Sequence, residues 1–430
     1  MNYFRNIMTG TFSNKNLFFL WIFQLLSLFG SELTRFALPI WLFQQEENLV
    51  SFSLYVFSGL LPRILSPIFG GLIDCFNKKK ILLLSGLLSL TVCFLLALLS
   101  SGMIDKSVFF ICFLMFSFGV CGNLIHIGTL ALVPRIVEKN RLLQVNSLMI
   151  AAESSALLIC PVLSGSLIFA FDFFFVVLID MLLFVISLMF LMKVDVVAEN
   201  RCYKNIQAIF GDIKNSLIEG ALFIRKNGQL AYLMGIFGLV NFFFSFSFVL
   251  FTPMVLSISE NNTQLLGSIN SIGNGIQLLT VFLAGCFLKS NSQITLMMRS
   301  IMLMGVCGPL LIGVGFSPVF WTIGYAATLA FLSIINATNN AFWQTCSPLH
   351  LQGSIFGIRR MVSSLIAPIG TLLAGPLMNK LSVSSKPAFV DNEYQLVFLI
   401  AGFCILLTGI LGSSLKKLKQ TQPLFSAQNE

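Results

Sequence analysis

Long apolar runs alternate with short polar breaks along the whole chain, and this pattern predicts membrane-spanning helices. A helix needs about 20 mostly apolar residues to cross the hydrocarbon core of a bilayer. Twelve runs reach that length, at residues 17–43, 52–73, 81–101, 108–133, 145–170, 173–192, 229–254, 264–288, 294–316, 318–343, 360–380 and 395–415. The sequence therefore predicts an all-α integral membrane protein with twelve transmembrane helices.

One polar interval is much longer than the others and divides the spans into two sets of six. Residues 193–228 separate an N-terminal six-helix half (1–192) from a C-terminal six-helix half (229–415), which a cytoplasmic tail (416–430) follows. Inside the interval, apolar residues recur at helical spacing, at Ile206, Ile209, Phe210, Ile213 and Leu217. This spacing predicts an amphipathic linker helix at the membrane surface, either a solvated connection or a regulatory site.

Composition excludes a soluble protein. Of the 430 residues, 57% are hydrophobic and 10% are charged, whereas an average soluble protein is about 25% charged. The mean hydropathy is +0.90. The 45 Phe residues against 17 Asp and Glu also exclude a disordered or nucleic-acid-coating chain. The net charge of +9 therefore reflects membrane topology, and no nucleic-acid partner is expected.

The distribution of Lys and Arg predicts the orientation in the membrane. If the N-terminus is cytoplasmic, twenty of these residues fall in cytoplasmic segments, and three lie outside, namely Lys106, Lys380 and Lys386. Cytoplasmic loops are enriched in Lys and Arg, so we predict that both termini are cytoplasmic. We expect a multi-pass protein of the bacterial inner (cytoplasmic) membrane, in contact with the lipid bilayer and monomeric.

The sequence lacks the residue patterns that ATP hydrolysis, metal binding and intramembrane catalysis require. No Gly-Lys dipeptide occurs, so the phosphate-binding loop of ATP-driven pumps is absent. The ten cysteines are scattered without a C-x-x-C pair, and His126 and His350 have no second ligand at metal-binding spacing. The spans also hold no H-E-x-x-H motif or paired aspartates. We therefore expect no enzyme activity, no metal and no other cofactor.

Ionisable residues inside the spans are few, and each is a candidate for proton coupling because charge is costly in a bilayer. Glu32 and Arg35 lie three residues apart in span one and share one helical face. Glu32 either binds and releases a proton during transport, with Arg35 and Arg63 as candidate cations, or forms a static pair in which Glu32 and Arg35 neutralise one another. Glu153 ranks next. Asp180 ranks last, because a lone acid in the outer half of span six could simply cap a neighbouring helix. The candidates are Glu32, Arg35, Arg63, Glu153 and Asp180.

The C-terminal half offers amide side chains in place of charges. Asn270, Asn274 and Gln277 fall at i, i+4 and i+7 of span eight and share one face. Amides orient a ligand without requiring a charge, and the aromatic run of span seven predicts an apolar cavity wall. Interhelical hydrogen bonding is the alternative, because small residues form a ladder beside this face. The substrate-cavity candidates are Asn241, Asn270, Asn274, Gln277, Asn336 and Asn340.

The loop between spans two and three carries a motif. It reads Gly70-Gly-Leu-Ile-Asp74-Cys-Phe-Asn-Lys78-Lys79-Lys80. The loop resembles the signature loop of the major facilitator superfamily, Gly-x-x-x-Asp-Arg-x-Gly-Arg-Lys/Arg, although Cys75 replaces an arginine and Asn77 a glycine. The resemblance implies the major facilitator fold. It also implies a latch between the two halves on the cytoplasmic side, with a gate motif formed by Gly70, Asp74, Lys78 and Lys79.

Two further segments are similar to one branch of that superfamily. They are Gly30-Ser-Glu-Leu-Thr-Arg-Phe-Ala-Leu-Pro-Ile-Trp41 in span one and the stretch from Pro348 to Leu377. The branch contains bacterial macrolide-efflux proteins, enterobactin exporters and transporters encoded beside nonribosomal peptide synthetases. The chain departs from its patterns at Ser354, at Asn379 and in span five, where the antiporter pattern Gly-Pro-x-x-Gly-Gly survives as Cys160-Pro161-x-x-Ser164-Gly165.

The sequence and the resemblance together predict a secondary active transporter that works by alternating access. The leading hypothesis is a proton-coupled exporter of small amphipathic molecules, such as a drug, a siderophore or a peptide natural product. A lysophospholipid flippase or an importer is the alternative within transport and would need no proton site. A membrane receptor or assembly partner that has lost transport is the alternative from another class.

Overall fold

The computed structural model describes residues 14–46, 48–137, 142–195, 211, 218–219, 221–287, 293–315, 317–346, 352–383 and 393–414. Within these ranges the chain is helical, with short turns and no strand. The numbered helices are α1 (Lys15–Glu46), α2 (Leu49–Leu60), α3 (Ser66–Cys75), α4 (Lys78–Ser100), α5 (Val108–Ile136), α6 (Leu142–Ala170), α7 (Phe173–Met192), α8 (Gly228–Phe248), α9 (Phe251–Ile258), α10 (Thr263–Phe287), α11 (Gln293–Gly305), α12 (Leu311–Val314), α13 (Pro318–Cys346), α14 (Gln352–Val383) and α15 (Glu393–Ser414).

The predicted spans coincide with these helices. Among the described residues, ten helical segments are long and apolar enough to cross a membrane, and the segment Leu49–Leu65 is a shorter apolar helix. The remaining prediction, span eight at 264–288, corresponds to α10, a helix of 25 residues. The prediction of an all-α membrane protein is therefore confirmed.

Proline interrupts three of the predicted spans. Span two changes to a 3-10 turn at Leu61–Leu65, which contains Pro62. Span seven breaks between α8 and α9, because Pro253 has no N–H to donate to the carbonyl four residues earlier. Span nine contains a π-helical turn, Val306–Leu310, around Pro309. These breaks were not predicted, because the apolar pattern of the sequence runs through all three.

Two compact units can be described separately. Unit 1 contains the described residues within Met1–Glu46, Ser58–Ile213 and Asn262–Gly267. Its helix α1 packs against α6 and α7, and its core includes the buried residues Leu20, Phe23, Leu82, Val145 and Phe184. At the C-terminal end of α1, the Trp41 ring stacks on Phe173 with 4.9 Å between centroids. The Lys106 ammonium lies 5.3 Å from the Trp41 ring centroid.

Unit 2 contains the described residues within Glu47–Phe57, Lys214–Asn261 and Ser268–Glu430. Helix α8 packs against α14, and α11 packs against α13 and α15. Its core includes the buried residues Leu233, Met297, Ile301, Trp343 and Ile405. Met297 and Ile301 are four residues apart, so they lie on the same face of α11.

Large apolar side chains also lie on the surface of the helices. More than half of the side-chain area is exposed at Leu84, Phe113, Leu182, Leu279 and Leu411. Extended apolar surface of this kind would be a liability in water. It is the surface that a lipid bilayer covers.

The predicted division into halves at 1–192 and 229–415 stays a prediction. The apolar linker residues Ile206, Ile209, Phe210, Ile213 and Leu217 lie outside the described residues, and so does the tail 416–430.

Candidate functional site

The middle of α1 carries an ion pair. Nη1 of Arg35 lies 2.7 Å from Oε1 of Glu32, as the i, i+3 spacing allows. The side chain of Glu32 is 13% exposed and that of Arg35 is 50% exposed. Arg63, the other cation predicted to serve Glu32, is an exposed residue of the 3-10 turn before α3. The structure therefore brings Glu32 and Arg35 together and leaves the guanidinium accessible to a further group.

Asp180 of α7 is the most deeply buried acid among the described residues, with no exposed side-chain area. The hydroxyl of Thr34 donates to its Oδ2 at 2.5 Å, and the thiol of Cys93 donates to the same oxygen at 3.5 Å. The other oxygen, Oδ1, has no hydrogen-bond partner within the described part of the chain. Asp180 ranked last among the acids predicted from sequence, and its partners were not predicted, because nothing in the local pattern around Thr34 or Cys93 indicates them.

Gly30 explains how this acid fits against α1. A Cβ atom at Gly30 would collide with Oδ1 of Asp180. Gly30 and Thr34 are four residues apart and so share a face of α1, whereas Glu32 lies about 200° away from Thr34 around the helix. Glu32 therefore lies on the face of α1 opposite to the face that Asp180 contacts. Glu32 faces a half-exposed cation and Asp180 faces a closed interior.

Helix α6 is hydrogen-bonded to α1 through two small side chains. Ser164 Oγ donates to the carbonyl of Leu33 at 2.9 Å, and Cys160 Sγ donates to the carbonyl of Phe29 at 3.5 Å. Donor and acceptor positions both repeat every four residues, so the bonds lie one turn apart. The residues that replace glycine in the predicted antiporter pattern of span five therefore tie α6 to α1.

The other two residues of that pattern face the first turn of α10, which belongs to unit 1. Thr263 Oγ1 donates to the carbonyl of Gly165 at 2.8 Å. A Cβ atom at Gly165 would lie 2.5 Å from the Thr263 carbonyl oxygen, and one at Gly267 would collide with the carbonyl oxygen of Pro161. The two glycines thus allow backbone-to-backbone packing of α6 and Thr263–Gly267 within unit 1, as small residues do in membrane helices.

Glu153, the remaining acid candidate, is half-buried on α6. The structure does not place it in the Asp180 cluster or in the Glu32–Arg35 pair.

The first turn of α4 positions helix ends within unit 1. The Lys79 ammonium donates to the carbonyls of Met192 at 2.9 Å and Val194 at 2.6 Å, and so caps the C-terminus of α7. Lys78 donates to the carbonyl of Ile73 at 3.2 Å. The surroundings of Gly70 and the Asp74 side chain lie outside what the structure describes. The latch assigned to the gate motif stays a prediction, and the capping by Lys79 is an additional role that the sequence pattern did not indicate.

Asn77 also has a structural role in that loop. Its Oδ1 accepts a hydrogen bond from the Lys80 backbone N–H at 3.2 Å and caps the N-terminus of α4. Asparagine is among the preferred N-cap residues. The departure from the family glycine is thereby accounted for.

The amide candidates do not form one cluster. Tyr325 donates its hydroxyl to Asn270 Oδ1 at 2.7 Å, and Arg359 donates to Asn340 Oδ1. Tyr325 and Asn340 are fifteen residues apart on α13, about 22 Å at 1.5 Å per residue. Among the other candidates, Asn336 is exposed and three are partly buried, namely Asn241, Asn274 and Gln277. A single small ligand therefore cannot contact both ends of this set.

Aromatic side chains pack around the break between α8 and α9. The Phe248 ring lies 5.6 Å from that of Tyr325 and 6.1 Å from that of Phe398. Phe251 lies 4.8 Å from Tyr325. The aromatic run of span seven was predicted to line a cavity. At the end of α8 its rings pack against other aromatic rings inside unit 2. Tyr325, which carries the contact to Asn270, was missed because it occurs alone in an apolar stretch.

No group of three His, Cys, Asp or Glu side chains in the described ranges could hold a metal ion. The described cysteines are all free thiols, and Cys93, Cys121 and Cys160 are buried.

Comparison with known proteins agrees with the helical architecture. The model of the Major Facilitator Superfamily matches residues 20–371. No sequence among the curated proteins matches the chain. One similar solved structure is the nucleoside transporter NupG, with a TM-score of 0.67 and 15% identity over 94% of this chain and 99% of that one.

Two other similar structures are named for different ligands or substrates. A POT family transporter in complex with 5-aminolevulinic acid has a TM-score of 0.69 and 14% identity over 92% of this chain and 94% of its own. The human organic anion transporter MFSD10 (TETRAN) has a TM-score of 0.60 and 14% identity over 93% and 99%. At these identities the likeness shows the fold alone. Because the family model covers most of the sequence, this chain belongs to the major facilitator superfamily.

Proposed function

We propose that this protein is a proton-coupled exporter of small amphipathic molecules, working by alternating access in the bacterial inner membrane with both termini in the cytoplasm. The observation that carries the proposal is the Glu32–Arg35 ion pair in the middle of α1, with Arg35 half exposed. Ionisable residues in membrane helices typically mark transport pathways.

The ion pair supplies a site where a proton and a substrate compete. The Glu32 carboxylate, ionised beside the half-exposed Arg35, binds a cationic or hydrogen-bond-donating group of the cargo. A proton that binds Glu32 removes this negative charge and releases the cargo. Loss of the proton restores the ion pair and the binding site. Proton and substrate thus bind the same carboxylate in turn, as the exchange of a proton for a substrate requires.

The substrate class rests on the resemblance to the macrolide-efflux and enterobactin-exporter branch. The segment from Gly30 to Trp41 that carries the resemblance also contains both members of the ion pair. Substrates that combine an apolar body with a polar group fit such a site, and drugs, siderophores and peptide natural products share this character. The similar structures are named for nucleosides, organic anions and 5-aminolevulinic acid, so an importer is the competing direction.

Transport into everted inner-membrane vesicles tests the proposal. The probes are ethidium, erythromycin and enterobactin, each followed as uptake driven by respiration. We expect uphill accumulation of at least one probe and its loss when a protonophore collapses the gradient. The variant Glu32→Gln should lose uphill accumulation but keep downhill exchange, because it retains the shape of Glu32 and cannot release a proton.

Asp105→Asn is the matched control, because Asp105 is an exposed acid outside the helices and its change should leave transport at the wild-type level. Uphill transport by Glu32→Gln would show that the pair is static. Transport that is unchanged when the protonophore collapses the proton gradient would favour a flippase or importer. Binding of a probe without any transport would favour a receptor.

A further inference from the structure

The Asp180 carboxyl occupies a site with hydrogen-bond donors but without a counter-charge. Thr34 and Cys93 both donate to Oδ2, while Oδ1 lies against Gly30 and has no donor in the described structure. The side chain has no exposed area. A buried carboxylate is costly unless it is paired and fully hydrogen-bonded. This site meets neither condition.

The groups that face Asp180 carry no positive charge. Helix α4 presents the Cys93 thiol, with Cys121 of α5 close to it, and α6 presents the Cys160 thiol. Helix α1 presents Gly30 and Thr34 at the contact, and its charged residues Glu32 and Arg35 are paired with each other. The described Lys and Arg side chains therefore supply no cation to this carboxyl.

We propose that Asp180 is a second proton-binding site, and that its neutral form joins α7 to α1 at Thr34 and Gly30. In this conformation the carboxyl holds its proton. When α1 and α7 separate, water enters, the carboxyl O–H bond breaks, and the proton passes to that water. The resulting carboxylate is then hydrated and no longer packs against Gly30. Proton release and helix separation are thus one event.

The consequence for transport follows from the position of the joint on α1. Gly30 and Thr34 lie on one face of the helix, and the Glu32–Arg35 pair lies on the other. A displacement of α1 at the joint therefore moves the pair. This consequence rests on the proposed function, whereas the proton on Asp180 and the opening of the joint are measurable without any substrate.

Infrared difference spectroscopy of the purified full-length protein tests the first part. An ordinary exposed aspartic acid is ionised near neutral pH, since its pKa is about 3.9. We expect a carboxylic acid C=O band near neutral pH in the wild type that is absent from Asp180→Asn. In Thr34→Val the same band should shift, because its hydrogen bond is lost. If the wild type and Asp180→Asn have identical spectra at neutral pH, the proposal is wrong.

The second part is tested by alkylation of Cys93, which is buried beside Asp180. N-ethylmaleimide labelling is quantified by peptide mass spectrometry at mildly acidic and mildly alkaline pH. We expect Cys93 to react several-fold faster in the wild type than in Asp180→Asn at alkaline pH, and equally in both at acidic pH. The comparison at a single pH cancels the pH dependence of the reagent.

Thr34 supplies a matched pair of variants if Asp180→Asn fails to fold. Thr34→Val has the same shape without the hydroxyl and should expose Cys93 at both pH values, whereas Thr34→Ser keeps the donor and should react like the wild type. Equal Cys93 labelling in all these proteins would contradict the proposal that neutral Asp180 joins α7 to α1. Failure of transport in every vesicle assay, with the infrared band and the labelling difference present, would instead remove the proposed function and leave the proton site.

Discussion

Single residues of α1 meet different requirements on its two faces. Glu32 and Arg35 form an ion pair with a half-exposed guanidinium, while Gly30 and Thr34 receive the buried carboxyl of Asp180. This explains why a glycine and a threonine occupy positions 30 and 34 of α1. Each removes bulk or supplies a hydroxyl where a neighbouring helix approaches.

Gly30→Ala tests this explanation by adding a single methyl group to α1. One methyl group would meet Asp180 Oδ1, and overpacking of a closed interior typically costs about 1–3 kcal/mol. We expect a loss of this size in the free energy of unfolding, measured by denaturation in detergent. Gly235→Ala is the control, because its Cβ meets no atom within 4 Å. The double variant Gly30→Ala/Asp180→Ala should lose less than the sum of the single changes.

Lys79→Met separates two roles of one side chain. Removal of the ammonium leaves the carbonyls at the end of α7 without their cap, which costs about 1 kcal/mol for a partly exposed charged hydrogen bond. We expect a lower melting temperature, whereas Lys80→Met should leave it unchanged because Lys80 is exposed. A loss of transport at unchanged stability would instead assign Lys79 to the latch alone.

Helix crossings depend on positions where backbones meet. The crossing of α6 with the first turn of α10 has a glycine on each side and a hydrogen bond from Thr263. Backbone atoms cannot move aside as a flexible side chain can. The crossing therefore tolerates no added atom on either helix.

Gly267→Ala is the variant that probes this crossing. Its Cβ would meet the backbone of Pro161 and Val162, so we expect a loss of about 1–3 kcal/mol of stability. Thr263→Val should cost less, about 1 kcal/mol, because it removes only one hydrogen bond, and Thr263→Ser should restore it. Unfolding in detergent measures all three. Wild-type stability of Gly267→Ala would show that this contact is not closed in the membrane.

The helices could be predicted from sequence, because an apolar run of about 20 residues has few other stable forms in a bilayer. The breaks at Pro62, Pro253 and Pro309 could not, because hydropathy does not change there. The i, i+3 pair of Glu32 and Arg35 was also predictable, since it lies within one helix. The partners of Asp180 were not, because Thr34 and Cys93 come from other helices and only the packing brings them together.

At the scale of the whole molecule, a variant in the gate motif tests the cytoplasmic latch that the family resemblance predicts. Asp74→Asn should impair probe uptake into everted vesicles while leaving insertion and expression intact, because the change lies in the predicted cytoplasmic gate motif and removes no apolar surface. Membrane-fraction immunoblotting checks the second part. Normal transport by a well-expressed Asp74→Asn protein would remove the assigned role.

The cations that lie over aromatic rings give the protein internal optical reporters. Lys106 lies over Trp41 in unit 1, and Arg359 lies over Trp343 in unit 2. The chain has four tryptophans, so Phe substitutions at Trp21, Trp321 and one of these two leave a single emitter. Indole emission responds to a charge near the ring. Each unit can therefore be followed separately during the transport cycle by its own fluorescence, without any attached dye.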